Sequence, residues 1–207
     1  MKKLLALSVA IILLFSCSMV SAKQIFTDVP ESDWAAPYIH ELYDRGIVGG
    51  YGDGTFLPWN NVERCEYAKM LVNIADIEIV NSAVSPYVDV PSYEWYFPYV
   101  NSSLSVITGY TSGGDLYFLP TNHASREDVT VALVKALGIN IYKYQNPEQY
   151  LKDKFTDFSE ISVHNRAYIV AAVDEGIITG DSDGSFRPHD PIIRAEVVAV
   201  LCRAFPQ

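Results

Sequence analysis

Positive charge is scarce in this sequence. Fifteen Lys and Arg stand against 25 Asp and Glu, a formal net charge of −10. Nucleic-acid binding draws on clustered basic residues that neutralise phosphates, so this balance argues against that class of partner. Cysteine is scarcer still, with three in 207 residues. That is too few for a small scaffold stapled by disulfides. His40, His123, His164 and His189 are scattered and lack the spacing of a metal site. No Ser, Cys or carboxylate pair stands in a recognisable nucleophilic or acid–base context. No catalytic residue, metal ligand or cofactor is therefore assigned, and the chain reads as non-enzymatic. Beyond residue 22 no apolar run is long enough to cross a membrane.

The one long apolar run opens the chain. Lys2 and Lys3 precede an almost unbroken apolar stretch from Leu4 to Phe15, and Val20-Ser21-Ala22 offers small residues for cleavage. Residues 1–22 read as a secretory signal peptide. A rival reading places a lipidation site at Leu14-Phe15-Ser16-Cys17, although Phe15 is bulky for one. The leader takes Lys2 and Lys3 with it and leaves a still more acidic chain, suited to the outside of a cell. It leaves two cysteines, Cys65 and Cys202, either two buried free thiols or one bridge.

What the remainder does have is internal repetition. Three segments open alike: Phe26-Thr27-Asp28-Val29-Pro30, Tyr87-Val88-Asp89-Val90-Pro91 and Phe155-Thr156-Asp157-Phe158-Ser159. An amphipathic stretch follows each, then a Gly-rich turn closed by Phe-x-Pro at Phe56/Pro58, Phe118/Pro120 and Phe186/Pro188. Six residues after each proline stands an arginine: Arg64, Arg126, Arg194. From opening Asp to Arg the distances are 36, 37 and 37 residues. The repeats span 24–80, 86–139 and 155–207, with 140–154 as a linker rich in Tyr and Lys.

Periodicity predicts a first helix over 34–45, 95–106 and 164–175, and second helices beginning near Val62, Ser125 and Ile192. Counting from each Arg, positions +3 and +7 are Tyr67 and Leu71, Val129 and Leu133, Val197 and Leu201. One narrow apolar stripe per helix is most economically buried against its two counterparts. The expected fold is mainly α: three tandem helix–loop–helix repeats in a pseudo-threefold bundle around a central three-helix core.

The order Asp, Trp, Gly-(Tyr/Asp)-x-Asp-Gly-(Thr/Ser)-Phe-x-Pro, then Arg-x-(Glu/Asp) resembles the S-layer homology repeat, over essentially all of 24–205. The resemblance implies a three-pronged trimer of repeats whose grooves bind secondary cell-wall polysaccharide, commonly bearing ketal-linked pyruvate. It implies a secreted protein of the bacterial cell wall or surface layer. The family's principal ligand residue falls on Arg64, Arg126 and Arg194. A planar guanidinium matches a carboxylate with two parallel hydrogen bonds. The start of a helix offers free N–H groups to an anion. Gly50, Gly109 and Gly180 would let backbone approach the sugar, and Trp34 and Trp95 are flat surfaces for a pyranose.

Each assignment has a plainer counterpart. The arginines could pair with Glu66, Glu196 or the opening Asp residues and hold turn against helix. The tryptophans could be core. Asp53-Gly54 and Asp183-Gly184 are most simply turn residues, and Asp181-Ser182-Asp183-Gly184 lacks the later acidic ligands of a calcium loop. The repeats also depart from the pattern. Only Ser125, with Asp128, keeps a capping box, the second turn has three extra residues, and His164 replaces the third tryptophan. At least one groove is a candidate for inactivity. The leading reading is a glycan-binding anchor. The alternative is a small structural or adaptor protein acting through contacts with other surface proteins, with Tyr142-Lys143-Tyr144 and Tyr150 as candidate contacts.

Overall fold

The computed structural model describes residues 24–207, so the signal peptide and the Cys17 alternative lie outside the described residues. Each repeat begins with a clamp. The two oxygens of Asp28 accept the N–H groups of Phe56 and Leu57, at 2.8 and 2.7 Å. Asp89 does the same for Phe118 and Leu119, and Asp157 for Phe186 and Arg187. The middle residue of each Phe-x-Pro is thereby held in the left-handed region, with φ of 56°, 58° and 57° at Leu57, Leu119 and Arg187. That conformation costs an L-residue about 1–2 kcal/mol, and the paired carboxylate bonds offset it.

The first helices are α1 (Ala36–Asp44), α3 (Phe97–Ser102) and, in the third repeat, α6 (Arg166–Asp174). They start later than the periodicity predicts. Pro37 and Pro98 stand in the first turns of α1 and α3, where a missing N–H costs nothing. Trp34 and Trp95 are left in the turns ahead of them. Gly46 and Gly176, at φ 71° and 69°, turn the chain out of α1 and α6. Ser105 holds the matching place in the second repeat, and α3 is the shortest of the three. In that repeat the extra turn residues form a hairpin, β1 (Tyr110–Ser112) against β2 (Asp115–Tyr117), around Gly113-Gly114.

The second helices are α2 (Arg64–Ile74), α4 (Arg126–Ala136) and α7 (Arg194–Ala204). They pack on one another, with Tyr67, Leu71, Val129, Leu133, Val197 and Leu201 all buried between them. A closed ring of backbone hydrogen bonds links their approaches. Val62 donates to Ile192 at 3.0 Å, Ile192 to Ala124 at 3.0 Å, and Ala124 back to Val62 at 2.8 Å. The first helices are interleaved with this core: α1 lies on α7, α3 on α2 and α6 on α4. Each first helix therefore covers a helix from another repeat. The described residues are mainly helical, as expected from the sequence.

The 140–154 connection is more than a linker. It holds a short 3-10 turn at Ile141–Lys143 and α5 (Pro147–Lys154), whose Leu151 is fully buried and which packs against α6. Cys65 and Cys202 are buried free thiols.

Candidate functional site

The three arginines point inward. Arg64, Arg126 and Arg194 are 3, 6 and 4 % exposed. Arg64 donates from Nε to the Phe118 carbonyl at 2.8 Å, from Nη2 to the Thr108 carbonyl at 2.8 Å and from Nη1 to Asp128 at 3.0 Å. Arg194 repeats the arrangement with the carbonyls of Phe56 and Gly49 and with Glu66. Arg126 is held less completely. Nη2 reaches the Thr179 carbonyl and Nη1 lies 3.7 Å from Glu196, but Nε is buried without a partner. Burial lowers its pKa, and Glu196 opposes that shift. Each arginine thus ties its helix start to the Gly-rich turn and second helix of another repeat. The acids foreseen as partners, Glu66 and Glu196, are used, but from across the repeat boundary. The opening Asp residues are engaged by backbone instead.

The expectation of free N–H groups at the helix starts is corrected by the same boundary. The N–H groups of Arg64, Arg126 and Arg194 donate to the carbonyls of Asn122, Asp190 and Asn60, at 2.8–3.0 Å. Those of Cys65, Glu127 and Ala195 go to Pro120, Pro188 and Pro58. Neighbouring backbone consumes the donors that an anion would need. Capping is also wider than the one box foreseen at Ser125. Glu66 and Glu196 accept from the backbone of Glu63 and Ile193, so a carboxylate at the third helical position serves even where the cap residue is Ile.

Beside each arginine lies a cleft built to one plan. The first, about 360 Å³, is formed by Gly49, Gly50 and Tyr51 of the first turn, Glu66, Lys69 and Met70 of α2, Trp95 from the second repeat and Arg194 from the third. The second, about 450 Å³, runs between the Thr108–Tyr110 turn, Asp128 and Val131 of α4, and Ser162 and Asn165 of the third repeat. The third, about 130 Å³, lies between Thr179 and Asp181, α7 with Glu196 and Arg203, Trp34 and Arg126. Each combines the turn and second helix of one repeat, the Trp position of the next and, at or behind the wall, the arginine of the remaining one.

Their chemistry differs. In the first cleft Lys69 is exposed, with Nζ 5.6 Å from the Trp95 ring centre, and it carries no ion pair among the described residues. Tyr51 donates to Glu66 at 3.1 Å, and burial raises its pKa. In the second cleft the tryptophan position is taken by a 3-10 turn, Val163–Asn165, and the carboxylate of Glu127 is bound by Ser162 and Asn165. In the third, the acids Asp181 and Glu196 are both paired with Arg187. Trp34 and Trp95 stand 48 and 50 % exposed at the third and first clefts. Gly50 and Gly109 line the first and second clefts, but packing explains the absent side chain. A Cβ there would sit 2.4 Å from the Phe26 ring or 2.3 Å from the Tyr87 ring, and one at Gly180 2.5 Å from Phe155. Lys69 escaped the sequence reading because the matching positions hold Val131 and Ala199, whereas Tyr51 stands in the repeated Gly-(Tyr/Asp) step without having been singled out. Among the described residues no three His, Cys, Asp or Glu side chains cluster as a metal site, and no helix is long and apolar enough to cross a membrane.

The S-layer homology domain family model matches residues 25–68 and 154–198. The chain is 29 % identical over 198 residues to an uncharacterized cell wall amidase of Bacillus anthracis, covering 94 % of this chain and 34 % of that protein. It is 26 % identical over 179 residues to an endoglucanase of Bacillus sp. (strain KSM-635), covering 85 % and 18 %. It is 25 % identical over 192 residues to the S-layer protein sap of Bacillus anthracis, covering 91 % and 22 %. The chain spans a third or less of the length of several such relatives. The unmatched middle repeat is the one with the hairpin insertion, yet its Asp89 clamp and left-handed Leu119 are built like the others.

Proposed function

We propose, from the premise that this chain carries S-layer homology domains, that it is a non-catalytic anchoring module binding secondary cell-wall polysaccharide, and that the sugar recognised bears a pyruvate ketal. Its place is the cell surface, in association with the wall. The three repeats form a pseudo-threefold, three-pronged body, a reading supported by the closed ring Val62–Ile192–Ala124 and by the common plan of the clefts. The carrying observation is the first cleft. It brings together Lys69, which has no ion pair among the described residues, the exposed indole of Trp95 and the guanidinium of Arg194 in one wall. A carboxylate-bearing pyranose is served by that combination, with charge for the ketal and a flat face for the ring. Arg64, Arg126 and Arg194 act mainly by shaping the turns. Arg194 and Arg126 also lend positive potential to the clefts they line.

Cosedimentation with isolated cell wall tests this. Lys69→Ala and Trp95→Ala should each weaken retention on pyruvylated wall and leave the melting temperature unchanged. Equal retention on wall stripped of pyruvate would overturn the ketal assignment. The adaptor alternative has less behind it. Tyr144 donates to Asp174 and Lys143 pairs with Glu175, so of the tyrosines at 142 and 144 only Tyr142 stands free of such ties.

A further inference from the structure

The residue after each Phe-x-Pro is Trp59, Thr121 or His189. Trp59 is 60 % exposed, and no aromatic or cationic partner is recorded for it among the described residues. It lines an open cavity of about 790 Å³ together with Asn60, Asn61, Glu63 and His123. Tyr51, Glu66 and Trp95 line this cavity and the first cleft alike, so the two adjoin. The charges differ along the run. Lys69 and Arg194 stand only at the cleft end, Glu66 borders both ends, and the Trp59 end adds Glu63 and no Lys or Arg. Asn60, Asn61 and His123 offer neutral donors and acceptors there, with Asn61 Nδ2 3.5 Å from His123 Nδ1.

We infer that Trp59 floors a second sugar subsite, which takes the neutral pyranose next to the acidic one in the same glycan strand. This rests on the anchoring reading and goes beyond it by assigning length and charge order to the ligand. The indole presents an apolar face to the C–H face of a ring, and the amides meet its hydroxyls. A second carboxylate would meet Glu63 and no cation there, so the strand recognised has an acidic unit beside a neutral one. Neither other repeat has an indole at this position, which makes the first cleft the site of extended recognition.

Titration calorimetry of the full chain decides the matter with three probes: a pyranoside carrying a pyruvate ketal, and the two disaccharides that extend it by one neutral pyranose at either end. One disaccharide should bind about tenfold tighter than the monosaccharide, the scale of one stacked ring. Trp59→Ala should abolish that gain and leave monosaccharide affinity unchanged, and Trp59→Phe should recover part of it. Equal binding of all three probes by the wild-type chain, or a gain that survives Trp59→Ala, would overturn the subsite and leave the anchoring reading standing. A wild-type chain that binds none of the probes would overturn both.

Discussion

Arg64→Ala separates a ligand residue from a structural one. The wild-type guanidinium is almost fully buried and joins two turn carbonyls to Asp128 at 2.8–3.0 Å. Its loss leaves both carbonyls without their donor. Asp128 is partly exposed and keeps the Tyr110 hydroxyl at 3.2 Å, so it rehydrates in part. Hydrogen bonds to charged groups are worth about 1.5–3 kcal/mol each, and breaking a buried pair costs about 3–5 kcal/mol. Because these losses overlap, about 3–4 kcal/mol is expected. At about 2–4 °C per kcal/mol for a chain of this size, the midpoint falls by roughly 6–16 °C. Arg126→Ala should cost less, about 1–2 kcal/mol, because Nε has no partner to lose and Glu196 retains Arg187. Urea unfolding followed by far-UV circular dichroism measures both, and wall cosedimentation is then run well below each midpoint. An Arg64→Ala protein of wild-type stability that no longer binds wall would refute the structural role. So would an Arg126→Ala protein that proves the less stable of the two.

The remaining predictions follow from the same interlocks. Asp89→Ala removes the acceptor of two N–H groups at 2.8 and 2.7 Å and frees a left-handed Leu119; a loss of about 2–4 kcal/mol in urea unfolding is expected, and an unchanged midpoint would dismiss the clamp. Gly109→Ala places a methyl 2.3 Å from the Tyr87 ring and 2.8 Å from the Tyr117 carbonyl, so overpacking should cost about 1–3 kcal/mol, read as a lower thermal midpoint. Burial first, and Glu63 and Glu41 next, push the Cys65 and Cys202 thiols up to about 12. At pH 8 the thiolate is then scarce, and a maleimide or disulfide reagent should label the native chain slowly and the urea-unfolded chain at once; fast native labelling would contradict their burial.

What could be read from the sequence was whatever recurs. The Asp, Phe-x-Pro and Arg spacing marked three units, and the +3 and +7 stripe named Tyr67, Leu71, Val129, Leu133, Val197 and Leu201, all of which are core. Whatever depends on a neighbour was hidden. Arg194 and its acid Glu66 are far apart in the chain, and nothing local to either reports the other. The same holds for the helix-start N–H groups, whose acceptors lie in a different repeat. Gly50, Gly109 and Gly180 read as letting backbone approach a sugar, whereas an aromatic ring pressed on the backbone accounts for the missing side chain. Lys69 and Trp59 have no counterpart in the other repeats, so a search for repetition passes over them.

The lodging of α1 against α7 has a consequence for how the molecule comes into being. The first repeat cannot bury its own apolar face until the last one arrives, and Arg45 is fastened to the carbonyl of Phe205. Early portions of the chain therefore have no finished resting state, and stay pliable while the rest follows. Final rigidity comes only when α7 packs on α1 and closes the circle.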